Sequence, residues 1–245
     1  MRRVAIAGIF AGAGVLGAGV LGCGRREEQV PPPAVEPPAC PVARAAPVAG
    51  RATSYNADGT GSCSFDASAE RRVAAIGAAD YAKAAWCGAC VEVTGPDGRT
   101  VAVRIVDKCP ACKPGELDLS REAFAVIAPL EAGRVAISWR PVPCEVTGPI
   151  AYRFKDGSSA FWTAIQVRNH RYPIASLEGR DRAGRWKPLP RADYNYFVAA
   201  GGLGAGPLAL RVTDARGQAI EDAAIAIGDT ATRAGAAQLP RCPGD

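Results

Sequence analysis

The stretch from Cys87 to Ser120 constrains this chain more than any other. It holds two Cys-x-x-Cys pairs, Cys87-Gly-Ala-Cys90 and Cys109-Pro-Ala-Cys112, with eighteen residues between Cys90 and Cys109. Carboxylates flank the second pair, Asp107 on one side and Glu116 and Asp118 on the other. Such spacing fits a zinc ribbon, a redox-active dithiol or structural disulfides. The compartment decides among them. Cysteines in an oxidising envelope normally pair with each other, whereas zinc ribbons and thioredoxin-type pairs belong mostly to reducing compartments.

The N-terminus points to export. Arg2 and Arg3 precede an apolar, Gly/Ala-rich run from Val4 to Leu21. A charged start and a short apolar core read as a secretory signal, and the glycines argue against a membrane span. Val20-Leu21-Gly22-Cys23 resembles a bacterial lipobox, whose cysteine is acylated and heads the mature chain. An uncleaved anchor or ordinary secretion are the alternatives. The cysteine count favours lipidation: nine is odd, and setting Cys23 aside leaves eight that can pair completely. The expectation is an exported protein, lipid-anchored to the bacterial cell envelope (outer membrane or cell surface) or secreted. Its cysteines are then disulfides. The single histidine, His170, offers little to a mixed zinc site, and neither metal nor cofactor is expected.

Loss of Arg2 and Arg3 with the signal takes the formal charge from +5 to +3. A dispersed charge of that size suits acidic wall polymers and gives no nucleic-acid footprint. Residues 1–22 read as the signal and residues 23–49 as a Pro-rich spacer, with Cys40 pinning part of it to the folded body. The remainder divides near Cys144 to Gly148, into 50–145 and 146–245. The first part has short Val/Ile/Thr-rich segments, including Val91-Thr94, Thr100-Val106 and Arg134-Trp139, with a hairpin turn at Pro96-Asp-Gly98. Helices are expected at Ala79 to Ala85 and at Arg121 to Leu130. Ser120 caps the second, and Phe124, Ile127 and Leu130 share its face. The second part is strand and turn throughout, with turns at Asp156-Gly157, Ala183-Gly184 and Ala215-Arg-Gly217, and reads as a small β-sandwich.

Several of these segments resemble one family. Gly50-Arg-Ala-Thr53-Ser-Tyr55, Cys-Gly-Ala-Cys-Val-Glu-Val, Val-Asp107-Lys-Cys-Pro and Leu117-Asp118-Leu-Ser120 look like the six-stranded double-psi β-barrel of expansins. Tyr152-Arg-Phe-Lys155-Asp-Gly-Ser-Ser159, Phe161-Trp162-Thr-Ala-Ile-Gln166-Val-Arg168-Asn-His170-Arg-Tyr172 and Asp193-Tyr194-Asn195-Tyr196-Phe197 resemble the Ig-like carbohydrate-binding domain of microbial expansins. The implied fold is all-β, the barrel followed by the sandwich. The implied activity is loosening of cellulosic walls without hydrolysis, and the implied partners are cellulose, xylan-type or other wall polysaccharide. Peptidoglycan is a further possibility, and a monomer is expected. Asp118 matches the family's essential aspartate, with Asp107, Thr53 and Tyr55 lining the same groove. An aromatic two positions after the first aspartate is replaced here by Cys109, and Trp86 is the candidate to supply that contact. Related plant proteins imply the pairings Cys63–Cys87 and Cys90–Cys144, leaving Cys109–Cys112, with Cys40–Cys242 joining spacer to tail.

Read without the family, Asp118 is a turn or capping residue before the helix, and Asp107 a turn former at a strand end. An inverting glycosidase needs a proton donor and a separate base. Near the first strand the nearest acids are Asp58 and Asp66, in a Gly/Ser-rich loop of unfixed register. A donor without a base fits a protein that binds glucan and does not cleave it.

Sugar rings stack on flat aromatics, so the second half should carry them in a line. Trp162 and Tyr194 are candidates, with Lys155 nearby. Strict alternation groups Trp162 with Gln166 and Arg168, and Phe161 with the core residues Ile165 and Val167. The resemblance instead makes Phe161 and Trp162 adjacent platform residues, which needs a bulge or turn. His170 and Tyr172 read as loop supports. Two competing functions remain at this level: a lipid-anchored lytic transglycosylase or glycosidase acting on peptidoglycan, and a pure wall-binding module.

Overall fold

The computed structural model describes Cys40, residues 46–181, residues 183–243 and Asp245. The expected signal, the lipidation at Cys23 and most of the spacer lie outside the described residues.

The first half is a closed barrel of β1 (Val48–Tyr55), β2 (Val73–Gly77), β3 (Cys90–Thr94), β4 (Thr100–Cys109), β5 (Leu117–Ser120) and β6 (Val135–Val142), in the order β1-β5-β2-β4-β3-β6. The pairs β1–β5 and β2–β4 are parallel and the others antiparallel. Alternation along each strand fills the interior: Val91, Val93, Val101, Val103, Ile105, Leu117 and Leu119 are buried in one cluster. The β3–β4 hairpin turns at Pro96–Gly98, where Gly98 takes φ +83°. One helix, α1 (Arg121–Ile127), follows β5 directly. The Ser120 hydroxyl accepts from the Ala123 N–H (3.2 Å), and Phe124 and Ile127 close one face of the barrel. The helix is shorter than expected because Ala128 precedes Pro129, whose ring disfavours helical geometry at the residue before it. Phe124→Ala would cost about 3–5 kcal/mol.

The helix expected at Ala79 to Ala85 does not form. Ala82, Lys83 and Ala84 all have positive φ (+46°, +53° and +63°), which no right-handed helix contains. Tyr81 and Ala84 are buried in the barrel cluster and Cys87 is bridged to Cys63, so tertiary anchoring overrides alanine propensity there.

The second half packs two four-stranded sheets around a separate cluster. The strands are β7 (Ala151–Phe154), β8 (Thr163–Arg168), β9 (Ile174–Arg180), β10 (Trp186–Pro188), β11 (Phe197–Ala199), β12 (Leu208–Asp214), β13 (Ala219–Ile225) and β14 (Thr232–Ala234). They pair as β10-β9-β12-β13 and β11-β8-β7-β14. The disulfides are Cys63–Cys87, Cys90–Cys144, Cys109–Cys112 and Cys40–Cys242. They use every described cysteine and leave no thiolate among them for zinc. Cys40 packs on the sandwich core, which ties the spacer to the C-terminal half.

Candidate functional site

Strand register brings the sequence candidates together. Thr53 on β1 lies opposite Asp118 on β5, Asp118 opposite Ala75 on β2, and Ala75 opposite Asp107 on β4. Their neighbours Ala52, Leu117 and Ala74 point into the core, so this rung faces outward. Asp107 reaches it through a bulge. Continued alternation from Val101, Val103 and Ile105 would turn Asp107 inward, but β4 shifts register by one residue between Ile105 and Asp107. The two aspartates are then separated by Ala75 alone, two strand spacings or roughly 9.6 Å between backbones.

Each carboxylate is held differently. Asp118 accepts from the Thr53 hydroxyl at 2.7 Å. Burial raises its pKa above the ordinary carboxylate range; the Thr53 bond works against the rise and the Asp107 charge adds to it. Asp107 Oδ1 accepts from two backbone N–H groups, Ser62 at 2.6 Å and Lys108 at 2.7 Å. Gly61 passes so close that a Cβ there would lie 2.4 Å from the Asp107 carboxyl carbon. One rung along, Tyr55 has a buried hydroxyl with no partner among the described residues. Burial first, then Asp107, Asp118 and Asp58, push that phenol far above its usual pKa. Each acid left open as a base already has one oxygen engaged. Asp58 accepts from the Thr60 N–H and hydroxyl (2.9 and 2.6 Å), and Asp66 is paired with Arg168 (2.5 Å). Trp86 packs edge-to-face on the buried Trp139, ring centroids 5.5 Å apart, which gives it a core contact. Cys109 ends β4 and is bridged to Cys112 three residues on.

On the sandwich, β8 starts only at Thr163, after a bend at Phe161. Alternation therefore does not extend back to Phe161, which is 81% exposed; the core placement read from strict alternation is corrected. Trp162 beside it is half-buried and Tyr194 is 40% exposed. Lys155 Nζ stands over the rings of Tyr194 (5.8 Å) and Tyr196 (5.7 Å). His170 is buried, its Nδ1 2.7 Å from the Tyr172 carbonyl, and burial lowers its pKa to about 4. A side chain at Gly88 of the barrel would lie 2.5 Å from His170 Nε2, so this ring is a packing element between the halves.

Sequence reasoning missed the junction. Gln166, fully buried, donates to the Cys63 carbonyl (2.8 Å), and Asn195 donates to the same oxygen (3.2 Å). The Tyr81 hydroxyl lies 3.0 Å from the Ser62 carbonyl and 2.8 Å from the Asp193 carbonyl, its one proton shared. A run of contacts thus links Asp107 to Ser62, Tyr81, Asp193 and the aromatic at 194. The available signal was Gln166 itself: a polar residue amid the buried run Thr163 to Val167 requires a partner.

A double-psi barrel with an outward aspartate rung, joined to an Ig-like sandwich bearing exposed aromatics, defines a class of two-part wall-polysaccharide proteins. Residues 48–139 match a family model described as lytic transglycolase, a double-psi barrel. The chain is 42% identical over 157 residues to Expansin-YoaJ of Bacillus subtilis (strain 168), spanning 62% of this chain and 66% of that protein. It is 29% identical to Expansin-like protein 3 of Dictyostelium discoideum, of which it spans 51%. The apo Clavibacter michiganensis expansin crystal structure superposes with a TM-score of 0.74 at 35% identity, covering 80% of this chain and 99% of that one. An aspartate-to-asparagine mutant of the Clavibacter protein, solved in complex with cellohexaose, matches equally. The chain belongs to the expansins. The disulfides fit an exported protein.

Proposed function

We propose that this chain loosens cell walls without hydrolysis, by binding cellulose or a related wall polysaccharide across the aspartate rung and the aromatics of the sandwich. One observation carries the reading. Asp118 is an outward, half-buried carboxylate with a raised pKa, and the neighbouring carboxylate of the rung, Asp107, has its Oδ1 committed to the main chain. The Asp107 oxygen that faces the loop is taken by two N–H groups, and Gly61 closes over it. Inversion needs an acid and an available base with water between them. What the rung offers is a carboxyl group and hydrogen-bond partners that grip a sugar. Phe161, Trp162 and Tyr194 offer stacking faces, and the Tyr81–Asp193 contact holds Tyr194 close to the barrel loop. The cellohexaose complex of the Clavibacter mutant supports this choice of ligand. Thr53 orients Asp118, Tyr55 lines the groove beside them, and Lys155 positions Tyr194. The protein acts as a monomer outside the cell, held to the envelope by a lipid on Cys23.

The test is extension of cellulosic wall strips under load, run beside assays for reducing ends. The native protein should extend the strips and release no reducing ends. Asp118→Asn should lower the extension rate by roughly 10- to 100-fold, the worth of a charged hydrogen bond. Asp118-dependent release of soluble sugar would refute the non-hydrolytic reading. The matched transglycosylase model makes peptidoglycan the competing substrate; anhydro-muropeptides released from purified sacculi would establish it.

A further inference from the structure

The outer face that carries the aspartates continues into a second rung. Two residues along β1, β5 and β2 and three along the bulged β4, roughly 7 Å further along the wall, Tyr55 lies opposite Ser120 and Val73 lies opposite Arg104. Beside Arg104, between barrel and sandwich, a cavity of about 420 Å³ opens, within the range of ligand pockets. Phe65, Val73 and Val106 give it apolar walls suited to the C–H face of a sugar ring.

The charges around this cavity are unevenly committed. Arg168 is spent on Asp66 (2.5 Å) and the Ser64 carbonyl (3.3 Å), with its guanidinium over the Phe65 ring. Exposed Glu70 accepts from the Arg72 backbone N–H (2.8 Å). Arg104 makes no side-chain hydrogen bond or ion pair among the described residues; burial acts against its charge, and the nearby Glu70 charge works in its favour. The half-buried guanidinium has a planar fork with no hydrogen-bonded acceptor, and that fork matches a carboxylate in a bidentate pair.

We propose that the Arg104 cavity is a subsite for a uronic acid, which would make a β-1,4-linked wall glycan with acidic branches, such as a glucuronoxylan, a preferred ligand of this surface. The backbone of the glycan lies on the aspartate rung, and its acidic branch enters the cavity toward the sandwich. This deepens the polysaccharide reading above and rests on it.

The experiment compares three soluble probes on the mature protein by calorimetry: cellohexaose, a xylo-oligosaccharide carrying one glucuronic acid branch, and the same oligosaccharide with its carboxyl reduced to the alcohol. The native protein should bind the acidic probe about tenfold tighter than its reduced counterpart. Arg104→Gln should abolish that difference and leave cellohexaose affinity unchanged, and Arg104→Lys should keep part of it. Arg104→Met should leave the melting temperature close to native, because the cation makes no hydrogen bond or ion pair among the described residues. Equal affinity for acidic and reduced probes, or a preference that survives in Arg104→Gln, overturns the subsite while cellohexaose binding leaves the wider reading standing. A fall in melting temperature in all three variants would assign Arg104 to the fold and also overturn it. Failure of the native protein to bind any of the probes overturns both.

Discussion

The two halves present their candidate ligand contacts in opposite ways. In the barrel the groups are polar, half-buried and fixed by the main chain: Asp107 by two N–H groups under Gly61, and Asp118 by its rung and by Thr53. In the sandwich they are apolar, exposed and set on turns, as with Phe161 ahead of β8 and Tyr194 in the loop before β11. A carboxylate acts at a definite atom, so its position must be held within fractions of an ångström. A stacking aromatic serves through its area, and a turn suffices to offer it. The barrel therefore needs the denser scaffold and the sandwich needs only a stable floor.

The largest test breaks that scaffolding in each half. Cys40–Cys242 spans 202 positions and is anchored on the sandwich core, whereas Cys109–Cys112 spans three beside the barrel rung. In the chain-entropy account, replacing the first pair by serine should cost about 5 kcal/mol and the second about 2 kcal/mol. Urea unfolding should show that order. The functional order should be reversed, with wall extension suffering more from loss of the short bridge. Equal effects on extension would mean that the Cys109 loop does not organise the rung.

A smaller effect tests the seam between the halves. His170 has an ordinary pKa of 6.5 and about 4 in the folded protein, because burial disfavours its charged form. Between those values the unfolded chain binds the extra proton, so stability falls as pH drops below about 6.5 and the loss is complete near pH 4. The total is about 3 kcal/mol. Asp118, whose burial raises its pKa above the ordinary carboxylate range, contributes with the opposite sign. His170→Gln should flatten the pH dependence of the melting temperature between 6.5 and 4.5. An unchanged slope would place the acid sensitivity elsewhere.

Much of this was legible in the sequence, and the rest was withheld for physical reasons. Turns carry local chemistry, so Pro96–Gly98 and Ser120 could be read from a few residues. The families of strands followed from alternation. Alternation failed at Phe161, and would misplace Asp107, because it assumes a strand without interruption. A late strand start freed the first, and a bulge turned the second outward. The Ala79–Ala85 segment looked helical because propensity is local, whereas its left-handed residues answer to Tyr81 and to the Cys63–Cys87 bridge. Arg104 gave no signal at all. Its isolation depends on which neighbours Arg168 and Glu70 choose, and only the fold decides that.

The exposed platform should respond in binding and not in folding. Phe161→Ala removes a side chain that is 81% exposed, so unfolding free energy should change by less than about 0.5 kcal/mol. Binding to crystalline cellulose should weaken by about 1–2 kcal/mol, roughly 5- to 30-fold. A loss of stability without a loss of binding would return Phe161 to the core and undo the contrast between the halves.

Lys155 gives the finest discrimination. Its ammonium lies over both Tyr194 and Tyr196, and only Tyr194 is exposed to a ligand. If its work is to hold Tyr194 in place, Lys155→Met keeps the aliphatic stem and removes the cation–π contact, worth about 0.5–1 kcal/mol. Cellulose affinity should then fall no more than about fivefold, and the same substitution in a Tyr194→Ala background should have no further effect. A full additional loss in that background would show that Lys155 touches the glycan directly, which would give the sandwich a charged contact of the kind now confined to the barrel.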